Sequence, residues 1–329
     1  MTKLNQSSVQ ALHQPARNPG TPLDTGRLRA LRVNTSAVER RAATLTTRRS
    51  LKKDHQAAWL LKAISCIDLT TLAGDDTPGR VERLCAKARQ PLRRDLLEAL
   101  GVANLGLSVG AVCVYHEIVP AAVAALAGSG IPVAAVSAGF PAGLSSLSGR
   151  IAEVDASVAA GAAEIDVVIN RGHVLGGNWT ALYDEVRAFR EAAGPAHLKA
   201  ILGTGDLGTL RLVARASWVA MMAGADFIKT STGKESTNAT LPVSLVMLRQ
   251  IRAFGAETGQ RIGFKPAGGI GTAKSVLAYQ IMMREELGRP WLEPELFRIG
   301  ASGLLGDIER QLEHHLSGAY SASHRHPMG

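Results

Sequence analysis

From about residue 59 onward this chain repeats one unit, a short apolar run followed by a stretch whose apolar residues recur every three or four positions. The runs are Ala63–Ile67, Ala111–Tyr115, Pro132–Ser137, Glu164–Ile169, His197–Leu202, Asp226–Lys229, Arg261–Lys265 and Phe297–Gly300. Near-continuous apolar strands are buried on both faces, which is how strands of a parallel sheet read. The intervening stretches, such as Ile151–Ala160 and Leu207–Met222, have helical spacing. The second is expected to open on an Asp206 N-cap and to close at Gly224. A last helix is expected near Ser302–Leu316. Eight parallel strands joined by helices predict an α/β chain closed as a (β/α)8 TIM barrel. A doubly wound open sheet is the alternative architecture, but no G-x-G-x-x-G follows the first run.

Composition agrees with one large domain. A chain of 329 residues that is 46% hydrophobic and 4% aromatic builds its core from Ala, Gly, Val and Leu, which suits closely layered strands and helices. No window approaches the roughly 18 consecutive apolar residues that span a bilayer, and no secretory signal pattern is found near the start. Cys66, Cys85 and Cys113 lack metal-ligand spacing and point to a reducing, cytoplasmic setting without zinc.

The formal charge of +9 suggests a nucleic-acid partner until it is located. Residues 1–53 carry eleven Lys or Arg against Asp24 and Glu39, whereas the other 276 residues hold 26 basic and 26 acidic groups. The excess therefore belongs to the N-terminal segment, which lacks interleaved aromatics for stacking on bases. Three regions are expected: a basic extension over 1–55, partly disordered or helical; a barrel over 56–318; and a tail over 319–329. An organelle transit peptide is the alternative role for the extension.

In a barrel of this kind the C-terminal strand ends face the active site. Those positions hold Asp68, Asp166, Lys199, Lys229 and Lys265. Buried charges are rare unless paired, so five in one interior point to chemistry more than to accident. A lysine ending the apolar strand Asp226–Lys229 should lose proton affinity on burial, and a neutral amine attacks carbonyls to give a Schiff base. Adjacent strands lie about 4.8 Å apart, so Lys265 would stand beside Lys229 and lower its proton affinity further. Asp166 would exchange protons in the same cavity. No metal or cofactor is called for. Glycine-containing loops follow the last three strands at Gly233-Lys234, Gly268-Gly269 and Gly300 to Gly303. Loops after the seventh and eighth strands are where such barrels often hold phosphate on backbone N–H groups.

These residues resemble deoxyribose-phosphate aldolases. The strings that carry the resemblance are Ile67 to Leu72, Ala111 to Tyr115, Glu164 to Val168, Asp226 to Lys234, Asn238 to Thr240, Gly263 to Gly269 and Gly300 to Ser302. It covers residue 55 to the C-terminus. Val168-Ile169-Asn170-Arg171 and the long leader resemble the longer, animal-type members. The resemblance implies reversible cleavage of 2-deoxy-D-ribose 5-phosphate into glyceraldehyde 3-phosphate and acetaldehyde, in deoxynucleoside catabolism. It assigns the Schiff base to Lys229 and proton transfer to Lys265 and Asp166. Asp68 and Thr70 would line the sugar end of the cleft. Thr232, Gly233, Lys234, Gly268, Gly269, Ser302 and Gly303 would hold substrate and its phosphate. A homodimer is the assembly implied.

Three departures from the family pattern are visible. Gly303 replaces a hydroxyl residue, Gly203 replaces an acidic one, and the tail around Tyr320 differs from the short members' terminal tyrosine. His314, His315, His324 and His326 are read as a solvated terminus, not a metal site. Another lysine aldolase, or a phosphate-binding scaffold tethered to RNA by its basic leader, is the rival function.

Overall fold

The computed structural model describes residues 17–48, 50–322 and 325. The first 16 residues of the basic extension, His324 and His326 lie outside the described residues. Eight parallel strands form one sheet: β1 Ile67–Thr70, β2 Ala111–Tyr115, β3 Val133–Ser137, β4 Glu164–Val168, β5 His197–Ile201, β6 Phe227–Lys229, β7 Gly263–Lys265 and β8 Ile299–Ala301. Each pairs with its sequence neighbour, and β1 also pairs with β8. Bridges Phe264–Phe297 and Ala267–Gly300 tie β7 to the β8 side and close the barrel. The expected (β/α)8 architecture is what the chain adopts.

Local differences from the sequence reading have simple causes. The first apolar run splits, because Ala63 and Ile64 end the helix Lys53–Ile64 and β1 begins only at Ile67. Both halves are buried, so hydrophobicity alone could not separate them. The helix expected from Leu207 starts at Leu210, capped by Thr209, whose hydroxyl accepts from the Leu212 N–H. Asp206 is instead paired with Arg171 at 3.0 Å.

The N-terminal segment is not a loose appendage over its described part. Helices Thr25–Ala30 and Thr35–Arg48 lie on the barrel, the latter against the helices Leu241–Thr258 and Ala273–Leu287. Leu28, Val38, Ala42 and Leu45 are buried there, the last three at helical spacing on one face. Asn18 inserts its amide below β6: its Nδ2 donates to Met221 O at 2.7 Å and Ala225 O at 3.0 Å, and its N–H donates to Asp226 Oδ1 at 2.8 Å. Asp226 also accepts from Arg190 at 2.7 Å and the Leu198 N–H at 2.8 Å. One carboxylate thus joins leader, β5 and an outer helix immediately before the strand that ends in Lys229.

Candidate active site

Side chains alternate along a strand, so every second residue points into the barrel. In register, Asp166 sits beside Lys199, and Lys229 beside Lys265. Space for these long side chains comes from glycine. A Cβ on Gly300 would lie 3.3 Å from Lys265 Cε and 2.9 Å from Ala267 Cβ. A Cβ on Gly263 would lie 2.4 Å from the Phe227 ring.

All five interior charges expected from the sequence meet. Asp166 Oδ2 accepts from Lys229 Nζ and from Lys265 Nζ, each at 2.7 Å, and Asp166 Oδ1 accepts from Lys199 Nζ at 2.9 Å. Lys265 Nζ also contacts Asp68 Oδ2 at 2.5 Å. None of the five is more than 2% exposed. The sequence reading missed two further members, Glu164 and Arg298. Lys199 Nζ lies 2.5 Å from Glu164, and Arg298 bridges Glu164 at 2.7 and 3.1 Å and Asp68 at 2.7 Å. Their signal was present in the alternation: Glu164 stands two residues before Asp166, and Arg298 two before Gly300.

Burial and charge separate the three amines. Burial pushes the Lys229 amine below the ordinary lysine range; Asp166 opposes this and Lys265 reinforces it. The sequence reading expected both burial and Lys265 to neutralise Lys229, and desolvation is the larger of the two causes. Burial also penalises charge on Lys265 and Lys199, yet Asp166 with Asp68 holds the first above its ordinary value, and Asp166 with Glu164 the second. Despite complete burial, Asp166 is held well below the usual carboxylate range by its three lysines. The site therefore presents one deprotonable amine beside a protonated one, across an ionised carboxylate.

Above this cluster opens a cleft of about 520 Å³, lined by Thr70, Lys229, Thr232, Gly233, Lys234, Gly268, Gly269, Ser302 and Gly303 among others. Thr70 is fixed by a 2.7 Å hydrogen bond from its hydroxyl to Asp68 O. The loop after β6 is tied by Glu235, which accepts from the Thr232 N–H at 3.1 Å, and by Thr232 Oγ1, which accepts from the Lys234 N–H at 3.0 Å. Gly268 has φ +81°, and a Cβ there would meet Asn238 at 2.6 Å, so this turn requires glycine. Gly303 is the N-cap of the helix Leu304–Ser317 and supplies no side-chain cap. Gly303 and Ser302 line the cleft, so the N–H groups and positive dipole end of this helix start lie beside it and could receive an anion.

Asp68, expected to line the sugar end, is fully buried among Lys265 and Arg298 and holds the lysines from below. Gly203 does not leave a gap: at φ +63° it gives room to Arg171, whose Cδ would lie 2.5 Å from a Cβ at that position. Tyr320 is exposed and stacks on His314 at 4.2 Å, away from the residues that line the cleft. A larger cavity of about 610 Å³ opens at the opposite mouth, but none of the three interior lysines lines it.

Residues 62–285 match the family model described as DeoC/LacD family aldolase. The deoxyribose-phosphate aldolase of Homo sapiens is 59% identical over 95% of this chain and 99% of its own length. That of Mus musculus is 59% identical over 94% and 98%. The tetrameric deoxyribose phosphate aldolase of Aeropyrum pernix shares the fold with a TM-score of 0.58 at 22% identity, covering 85% of this chain and 99% of that one. This chain belongs to the DeoC/LacD family of aldolases.

Proposed function

We propose that this aldolase cleaves 2-deoxy-D-ribose 5-phosphate reversibly into glyceraldehyde 3-phosphate and acetaldehyde, through a Schiff base on Lys229. The observation that carries the reading is the asymmetric trio of lysines around Asp166, in which only Lys229 lines the cleft and is driven toward its neutral form. The neutral amine attacks C1 of the open-chain sugar, and a proton from Lys265 lets the carbinolamine oxygen leave as water. The iminium then accepts the C2–C3 bonding pair while the 3-hydroxyl proton passes to the Asp166 and Lys265 pair. Protonation of the enamine at C2 and hydrolysis release acetaldehyde and regenerate the amine. Because the iminium is the electron sink, this sequence needs neither cofactor nor metal.

The phosphate would rest on the N–H groups of Gly268, Gly269, Ser302 and Gly303, with Gly233 and Lys234 on the facing wall. High identity to proteins named for this substrate supports the choice. Turnover of deoxyribose 5-phosphate with stoichiometric release of both aldehydes is the test. Cleavage of fructose phosphates without cleavage of deoxyribose 5-phosphate would replace this reading with another lysine aldolase. Among the described residues no helix is long and apolar enough to cross a membrane. The three free, buried cysteines support a cytoplasmic setting for the enzyme. A homodimer belongs to the same reading by family resemblance; light scattering tests it, and a tetramer like the Aeropyrum pernix relative would overturn it.

A further inference from the structure

Three lysines facing three carboxylates would neutralise one another, and each lysine could keep its proton. The barrel interior holds a fourth cation. Arg298 is 5% exposed and binds Glu164 through two nitrogens at 2.7 and 3.1 Å and Asp68 at 2.7 Å. We propose that Arg298, clamped between Glu164 and Asp68 beneath the lysines, is a positioning residue whose surplus charge leaves Lys229 as the uncharged, nucleophilic amine.

The contacts say which lysine yields its proton. Lys265 touches Asp68 and Asp166, at 2.5 and 2.7 Å. Lys199 touches Glu164 and Asp166, at 2.5 and 2.9 Å. Lys229 has Asp166 alone, at 2.7 Å. Around this cluster β2 adds the buried thiol of Cys113 and β5 adds His197, 3.6 Å from Glu164, while β3 (Val133–Ser137) adds no ionisable group. In a poorly screened interior the least supported proton is the one expelled. Glu164 and Arg298 line the cavity at the mouth opposite the cleft, so changing them leaves the substrate-lining residues in place.

This inference rests on Lys229 being the nucleophile, and the experiment separates the two ideas. The acidic limb of the kcat/KM pH profile is measured for Arg298→Met, Glu164→Gln, the double variant and Arg298→Lys. Arg298→Met removes the surplus cation, so Lys229 keeps its proton to higher pH and the limb moves up by about one pH unit. Glu164→Gln removes an anion and moves the limb down. The double variant restores a surplus of one cation, three lysines against Asp68 and Asp166, and returns the limb to the wild-type position. Arg298→Lys keeps the charge and stays near wild type. A purely structural role would instead depress activity at every pH and give no opposite movements, and that result overturns the proposal. If Arg298→Met yields no folded enzyme, a Glu164→Gln limb that stays in place or moves up overturns it equally. Borohydride trapping on the wild type is run in parallel: an adduct away from Lys229 sinks the nucleophile assignment itself.

Discussion

At the scale of single residues, three neighbouring amines differ in how readily each loses its proton. Lys229 is driven below the ordinary lysine value of about 10.4, chiefly by burial. Its neutral form accumulates as pH rises, so kcat/KM should climb with pH and reach its plateau below the range of a free lysine. Lys265 is held above its ordinary value, so its deprotonation should contribute no falling limb near neutrality. A profile that falls between pH 7 and 9 would contradict both statements. Lys265→Met removes the proposed proton donor together with one interior cation, and should lower kcat by about 10²–10⁴-fold while Lys229 still forms an adduct at higher pH. Lys229, Lys265 and Asp166 were readable because charged residues at the ends of apolar strands stand out. Asp68 was visible as a charge but not in its place, since only packing shows that Lys265 and Arg298 cover it. Glu164 and Arg298 were obscured because they sit at strand beginnings, away from the ends where chemistry was expected.

Among elements, the barrel's strands supply rigid positions and its loops supply shape. Strand order was legible from alternation, yet strand starts moved by up to four residues where buried helix ends run into buried strands. Helix caps were less legible. Thr209, Thr240 and Thr272 each accept an N–H at a helix start, and a threonine in a loop does not announce which of several neighbouring residues will cap. The proposed phosphate end of the cleft depends on the turn at Gly268, where Asn238 occupies the space of any added Cβ. Gly268→Ala should therefore raise KM for deoxyribose 5-phosphate at least tenfold and leave the slow cleavage of unphosphorylated deoxyribose nearly unchanged. Equal losses on both substrates would show that this loop does not hold the phosphate. Gly303 has no heavy atom within 4 Å of an added Cβ and a negative φ, so Gly303→Ser should be accommodated and should lower that KM.

For the whole molecule, the leader is part of the barrel's support. Its composition of Ser, Thr and Arg reads as an extension, because the stripe Val38, Ala42, Leu45 is small and short. Leu45 is 1% exposed against the barrel helices, so Leu45→Ala should cost about 2–5 kcal/mol in urea unfolding. A cost near zero would mean that the segment contributes nothing to the fold. Acid should act on the interior network. Asp68, Glu164 and Asp166 are fully buried yet held below their ordinary values by Lys265, Arg298 and Lys199 together. Such groups contribute stability above the unfolded carboxylate range of about 4, and that contribution is lost as pH falls through their depressed values. The thermal midpoint should stay level down to about pH 4 on this account and drop steeply below it.

The central claim is that Lys229 alone becomes covalently bound to substrate carbon. Borohydride reduction in the presence of acetaldehyde, read by peptide mass spectrometry, tests it directly. The account predicts one added ethyl group, on the peptide containing Lys229 and at that lysine. Labelling of Lys199 or Lys265 in its place, or an active enzyme that takes up no label, would contradict it.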